Sequence, residues 1–231
     1  MLPLRDHLPT RTVPFINYAL IAANVLVFLG ELDGAVGKEL EFVPARLFQD
    51  PALGIETLFT AMFMHAGLSH IGGNMLFLWI FGDNVEDAMG HLPYLAFYLV
   101  GGVCAALAQT AVDPRTTLPM LGASGAIAAV LAAYVFLYPR SPVTVLNPIP
   151  LLWLFWGLFL QFPAWIVIAE FFVVNLWNAL TNTAQGGVAF MAHVGGFVGG
   201  AVLFRFFMTG RPRMDDYERH DRWAQRRSRP N

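Results

Sequence analysis

Ser124 is the single hydroxyl in the run "LGASGAIAAV" (residues 121–130), with Ala123 and Gly125 on either side and Gly122 just before. A serine hydroxyl is a poor nucleophile until a base takes its proton, and a neutral imidazole does that near pH 7. Such an imidazole, His193, stands in another apolar run, "AHVGGFVGGAV". A third run carries His70 and Asn74, four residues apart and so on one helical face, where both can aim donors at one point. Free backbone N–H groups at the start of a helix opening at Ser124 would add to them, and the helix dipole there favours negative charge. Nucleophile, base and donors for a developing oxyanion are all present. No Asp or Glu lies close to His193 along its helix, so the expectation is a Ser/His dyad without a third carboxylate.

The elements that must position these groups are membrane helices. Hydrophobic residues make up 56% of the 231-residue chain and charged residues only 13%, against about 25% charged in ordinary soluble domains. The composition therefore predicts an all-α polytopic membrane protein embedded in a lipid bilayer. A net charge of −2 gives no basic field, which argues against a nucleic-acid partner. The lone Cys104 allows neither a disulfide framework nor a Cys-based zinc site.

Apolar stretches separated by polar or Gly/Pro punctuation predict six transmembrane helices, near residues 14–30, 68–87, 92–112, 121–138, 162–181 and 188–208. The first is read as a permanent span rather than a cleaved leader, because no small-residue cleavage motif follows it. Within "NPIPLLWLFWGLFLQFPAW", the first part reads as an interfacial or re-entrant lead-in, broken by Pro148, Pro150 and Pro163. The stretch from Glu31 to Phe59 mixes acids with Phe and Leu and reads as a half-buried loop in the outer interface.

With six spans both ends lie on one side. That side would hold Arg5, Arg11, Arg140, Arg205 and the seven arginines after Gly210, against Lys38, Arg46 and Arg115 on the other. The positive-inside rule then makes both termini cytoplasmic. Three parts follow: an N-terminal cytoplasmic segment over 1–13, a six-helix membrane domain over 14–209, and a basic C-terminal cytoplasmic tail over 210–231.

Spans two, four and six run in the same direction, so depths can be compared from their inner ends. At ~1.5 Å per helical residue, His70 lies roughly 20 Å above Asp83, Ser124 roughly 24 Å above Arg140, and His193 roughly 18 Å above Arg205. Three polar side chains thus converge on one level, above the midplane of a hydrocarbon layer about 30 Å thick. A serine inside a membrane helix commonly bonds back to the carbonyl four residues earlier. Ser124 sits at a helix start just after Pro119, where that carbonyl is not part of the same helix. Gly195/Gly199 and Gly196/Gly200 have the spacing that permits close helix approach, and Gly125, Ala126, Ala128 and Ala129 offer the fourth span an equally low surface. Ser69, beside His70, points elsewhere on its helix and is no rival. His65 reads as a residue of the outer interface, and His91 as a solvated loop residue.

Other chemistries fit less well. "GASGA" is not the G-x-S-x-G elbow of soluble hydrolases, no H-E-x-x-H is present, and His65 and His70 are five apart, off one face. No cofactor and no metal is called for.

The pieces "HAGLSHIGGNMLFLWIFGDNVEDAMG", "GASGA" and "AHVGGFVGG" resemble, in order and spacing, the rhomboid family of intramembrane serine proteases, from about Met62 to about Gly200. The resemblance implies a rhomboid-like bundle with Ser124 as nucleophile, His193 as general base, and His70 with Asn74 as oxyanion donors. It also implies substrates that are membrane-spanning helices of other proteins, cleaved through an acyl-enzyme, and a multi-pass place in a cell membrane, with a prokaryotic plasma membrane as the expectation. One departure is visible. Such proteins often carry, four residues after the nucleophile, an aromatic that stacks on the catalytic His, and Ala128 stands there. An inactive rhomboid-like protein that binds client helices would be expected to lack Ser124 or His193. A transporter would need polar positions through both halves of the bilayer, and the inner half here is nearly featureless.

Overall fold

The structure, a computed structural model, describes residues 1–147, 149–150, 153, 157–181 and 189–208; the tail expected over 210–231 lies outside the described residues. In chain order the elements are β1 (Leu2–Asp6), α1 (Phe15–Asp33), α2 (Arg46–Gln49), α3 (Pro51–Thr60), α4 (Leu68–Met89), α5 (His91–Val112), α6 (Ser124–Leu137), β2 (Pro142–Leu146), β3 (Phe159–Pro163), α7 (Ala164–Thr181) and α8 (Phe190–Leu203). The chain is mostly helical, with one small sheet that an all-α reading leaves out.

A helix stands at each of the six stretches expected to be spans. Four of them, α1, α5, α7 and α8 with its continuation to Phe207, are long and apolar enough to cross a membrane. Helix α4 is 22 residues long but carries Asp83, Glu86 and Asp87 near its C-terminal end. Two of these acids serve the N-terminal segment. The fully buried Glu86 carboxylate accepts the N–H groups of Ile16 (3.0 Å) and Asn17 (2.7 Å), donors at the start of α1 that have no partner within their own helix. Asp87 accepts the N–H and hydroxyl of Thr12 at 2.9 and 2.7 Å. Glu86 also pairs with His91, so that ring is tied down rather than merely solvated.

Helix α6 is the axis of the fold. From Ala126 to Tyr134 no residue is more than 3% exposed, because α4, α5, α7 and α8 all pack on it. Its alanines keep its surface low enough for four neighbours. The two glycine pairs of α8 divide their work between two of them. A Cβ on Gly196 would lie 2.1 Å from the Gly125 carbonyl oxygen, and one on Gly200 2.5 Å from Ala129 Cα, both on α6. A Cβ on Gly195 would meet Ala108 Cβ at 2.1 Å, and one on Gly199 Cys104 Cβ at 2.7 Å, both on α5. The expected contact with α6 is therefore half of the arrangement: α8 is seated in a groove between α5 and α6.

Helix α6 opens at Ser124, not at 121, because the preceding residues are held elsewhere. Met120 pairs with Phe42, and the Gly122 N–H donates to the Ala61 carbonyl at 2.8 Å with φ at +120°. The stretch from Glu31 to Phe59 is half-buried as expected, but it contains α2 and most of α3, and Phe42 and Leu58 form a small second core with Ala61 and Ala106.

At the end of α6 opposite Ser124, three strands form an antiparallel sheet in the order β1-β2-β3, with Leu2 opposite Leu146 and Val143 opposite Phe162. Alternation in "PVTVL" turns Val143 and Val145 fully into the core. The stretch expected as an interfacial lead-in is thus, in its described part, flanked by hairpin strands, and residues 148, 151–152 and 154–156 lie outside the described residues. Asp6 pins β1 beneath the bundle by accepting the Tyr134 hydroxyl (2.7 Å) and the Asn84 amide (3.0 Å).

Burial pushes the Asp6 carboxyl up to about 7 from 3.8, aided by neighbouring Asp83 and opposed by the Tyr134 hydrogen bond and Arg5. The docked state therefore favours the protonated acid. Its contribution is full below the ordinary carboxylate range and is lost as pH rises towards 7. The melting temperature is expected to fall between pH 5 and pH 8, and Asp6→Asn to remove that part of the slope. Equal slopes in parent and variant would contradict it.

Candidate active site

Ser124 is the first residue of α6, and His193 lies in the first turn of α8. The close glycine seam between these helices brings the two side chains together, with the Ser124 hydroxyl donating to His193 Nε2 at 2.7 Å. Both line a cavity of about 550 Å³, together with His70, Asn74, Met62 and Phe171.

The two expected oxyanion donors both lie on α4 and line the same cavity. His70 Nδ1 accepts the N–H of Ala66 (3.3 Å), so in the neutral ring the proton is carried by Nε2. Asn74 is 8% exposed, and its Nδ2 has no hydrogen-bond partner among the described residues. A buried amide left in that condition is costly unless something else receives its hydrogens. Gly122 marks the spot both donors face: a Cβ there would lie 2.8 Å from His70 Nε2 and 3.7 Å from Asn74 Nδ2. Four sequence-predicted residues thus meet at one cavity. Ser69 is on the same wall but exposed, and it is Ser124 that His193 bonds.

His65, expected at the outer interface, is buried within the protein. Its ring stands edge-on to His70 at 5.1 Å, its Nδ1–H donates to the Phe63 carbonyl, and its backbone N–H donates to the Glu31 carboxylate at 3.0 Å. Burial, and then the neighbouring His70, push His65 down to about 4. It is neutral at ordinary pH and backs the His70 ring without adding charge.

One residue at the site was not anticipated. Asn175 of α7, 8% exposed, accepts the Nδ1–H of His193 through its Oδ1 and donates its Nδ2 to the Phe171 carbonyl at 2.8 Å. Phe171 also sets its ring 6.0 Å from the imidazole, and Phe190 does so at 6.4 Å. The aromatic neighbours of His193 are therefore supplied by α7 and α8. An amide in the apolar run "FFVVNLWNAL" was the available signal, but Asn178 in the same run gave no way to choose between them.

A family model described as the Rhomboid domain matches residues 54–209. Rhomboid protein 1, mitochondrial, of Saccharomyces cerevisiae is 27% identical over 201 residues, covering 83% of this chain and 53% of that protein. The Rhomboid protease GluP of Bacillus subtilis is 29% identical over 192 residues, covering 81% and 34%. The presenilin-associated rhomboid-like protein, mitochondrial, of Homo sapiens is 32% identical over 133 residues, covering 55% and 34%. The chain spans a third to about half of the length of these relatives. Two of these relatives are named mitochondrial and the third comes from a bacterium, so they do not support the expectation of a prokaryotic plasma membrane. With more than half of its length inside the matched domain, and with helices apolar enough to cross a bilayer, this chain is a multi-pass membrane protein and belongs to the rhomboid family.

Proposed function

We propose that the chain is an intramembrane serine endopeptidase that hydrolyses peptide bonds in or near the transmembrane helices of other membrane proteins. The observation that carries this reading is the 2.7 Å Ser124–His193 bond on the wall of a cavity that the Asn74 amide and the His70 ring also line. Ser124 attacks the scissile carbonyl while His193 Nε2 takes its proton. His70, Asn74 and the first N–H groups of α6 hold the oxyanion, and His193 returns the proton to the leaving amine. Water then hydrolyses the acyl-enzyme by the same route.

Six crossings, with both termini cytoplasmic, set the depth of the reaction. At 14 residues α6 spans only about 21 Å of a layer about 30 Å thick, so a helix seated towards the inner face leaves Ser124 below the outer one. N-terminal residues 1–13 and the basic stretch 210–231 then lie on the cytoplasmic side of a membrane domain spanning 14–209.

Purified protein in liposomes is expected to cleave a reporter containing a transmembrane helix, and Asn74→Ala to lower kcat by about 10- to 10²-fold with KM little changed. The loss is at the low end for an oxyanion donor because His70 and the backbone N–H groups remain. A melting temperature that fell in step with activity would mark Asn74 as structural instead. A parent protein that neither cleaves nor reacts with a serine-directed probe would sink the proposal and favour a client-binding role.

A further inference from the structure

We infer that Asn175 is a positioning residue that fixes the tautomer of His193, an inference that rests on reading Ser124 and His193 as the reacting pair. The argument is one of hydrogen-bond accounting. The Asn175 Nδ2 faces the Phe171 carbonyl at 2.8 Å, an acceptor only, so the amide group has one orientation. Its Oδ1 must then face His193, and an amide oxygen can only accept. His193 Nδ1 therefore carries the proton of the neutral ring. Nε2 is left with its lone pair directed at the Ser124 hydroxyl 2.7 Å away, which is the arrangement a general base needs. With the other tautomer, Nε2–H would face Ser124 and no base would be available.

Two further features make α7 the support of the ring. Phe171 and Asn175 are one helical turn apart, so the same face supplies a contact to the imidazole ring and an acceptor to its edge. Among the described residues no carboxylate hydrogen-bonds His193, and the other titratable side chain on the cavity wall is His70 of α4. A neutral amide thus takes the place that a carboxylate holds in a triad. It orients the ring without bringing a charge into the bilayer.

The test is a set of three substitutions with opposite expectations for a positioning and a packing role. Asn175→Leu fills the space and suits a membrane helix but offers no acceptor, and Asn175→Ala removes the acceptor outright. Both are expected to lower kcat by about 10²-fold or more with KM within a few-fold, since a wrong tautomer in a Ser/His site costs up to ~10⁴-fold. Asn175→Asp keeps an acceptor at the same place and is expected to retain activity to within about tenfold of the parent. Its carboxylate favours the imidazolium, so the acid limb of its pH–rate profile should move to higher pH. A packing role predicts the reverse order, with the Leu variant active and the Asp variant impaired, and that result would overturn the inference.

Nitrogen-15 spectra of histidine-labelled Ser124→Ala protein read the tautomer without any turnover. A protonated Nδ1 on His193 is expected with Asn175 present, and a mixture of tautomers after Asn175→Ala. An unchanged tautomer would overturn the inference even if the dyad stands. Continued cleavage by Ser124→Ala would overturn the dyad instead, while the spectra still decide Asn175.

Discussion

Ser124→Ala is expected to abolish cleavage of a membrane-embedded substrate and labelling by a fluorophosphonate probe, with the fold intact. Loss of a serine nucleophile from such a site lowers turnover on the order of 10⁵-fold or more. The structure leaves little else for the substitution to disturb. The hydroxyl's hydrogen bond is to His193, Ala is a better helix former than Ser, and the sequence neighbours are the small residues Ala123, Gly125 and Ala126. His193 would keep its place through Asn175 but would have no hydroxyl proton to take. Melting temperature and substrate binding should therefore match the parent. Ser69→Ala and Ser141→Ala should label normally, since Ser69 is exposed beside His70 and Ser141 accepts from Tyr134 at the far end of α6. Substantial turnover by Ser124→Ala, together with its loss in Ser69→Ala, would require a different nucleophile.

Gly122→Ala is expected to lower kcat by about 10²- to 10³-fold, the size of effect that follows loss of an oxyanion donor. Two causes act together. A methyl group at 122 would sit 2.7 Å from His70 Cε1 and 2.8 Å from its Nε2, the proposed oxyanion donor, so the ring is displaced or its donor covered. The backbone at φ +120° is also one that L-residues rarely adopt, a strain of order 1–3 kcal/mol. Strain alone can be set apart with Gly34→Ala, since Gly34 has φ +80° at the C-terminus of α1 and nothing within 4 Å of an added Cβ. That control should lose stability and keep kcat. If Gly122→Ala lost only as much activity as Gly34→Ala, Gly122 would be a turn residue and the oxyanion site would lie elsewhere. Probe labelling should slow in parallel with cleavage, because a phosphonyl oxygen must enter the same space.

Much of this protein is legible in the order of its residues because a bilayer is a severe solvent. Backbone groups must be satisfied within each spanning segment, so apolar runs of sufficient length become helices, and helices stand at all six expected stretches. The rise per residue is fixed, so the level of Ser124, His193 and His70 along their helices could be compared before any contact was known. Rotation about each helix axis is another matter. An apolar segment carries little polar-face pattern, and which side of α7 turns inward is set by packing. That left Asn175 indistinguishable from Asn178, and it left Phe171 unrecognised as the ring beside His193. For the same reason the two glycine pairs of α8 looked like one surface, although they press against two helices. Strand pairing is non-local, and nothing in "LPLRD" indicates that it joins a hairpin more than 130 residues away. The buried place of His65 follows from the turn before α4, where its backbone N–H is held by Glu31 and its ring by the Phe63 carbonyl. Sequence by itself determined where the helices stand and which polar residues lie among them at matching positions, because these depend on spacing and solvent. Tertiary structure alone decided which faces meet, and with them the orientation of His193, because close packing between helices has no local code.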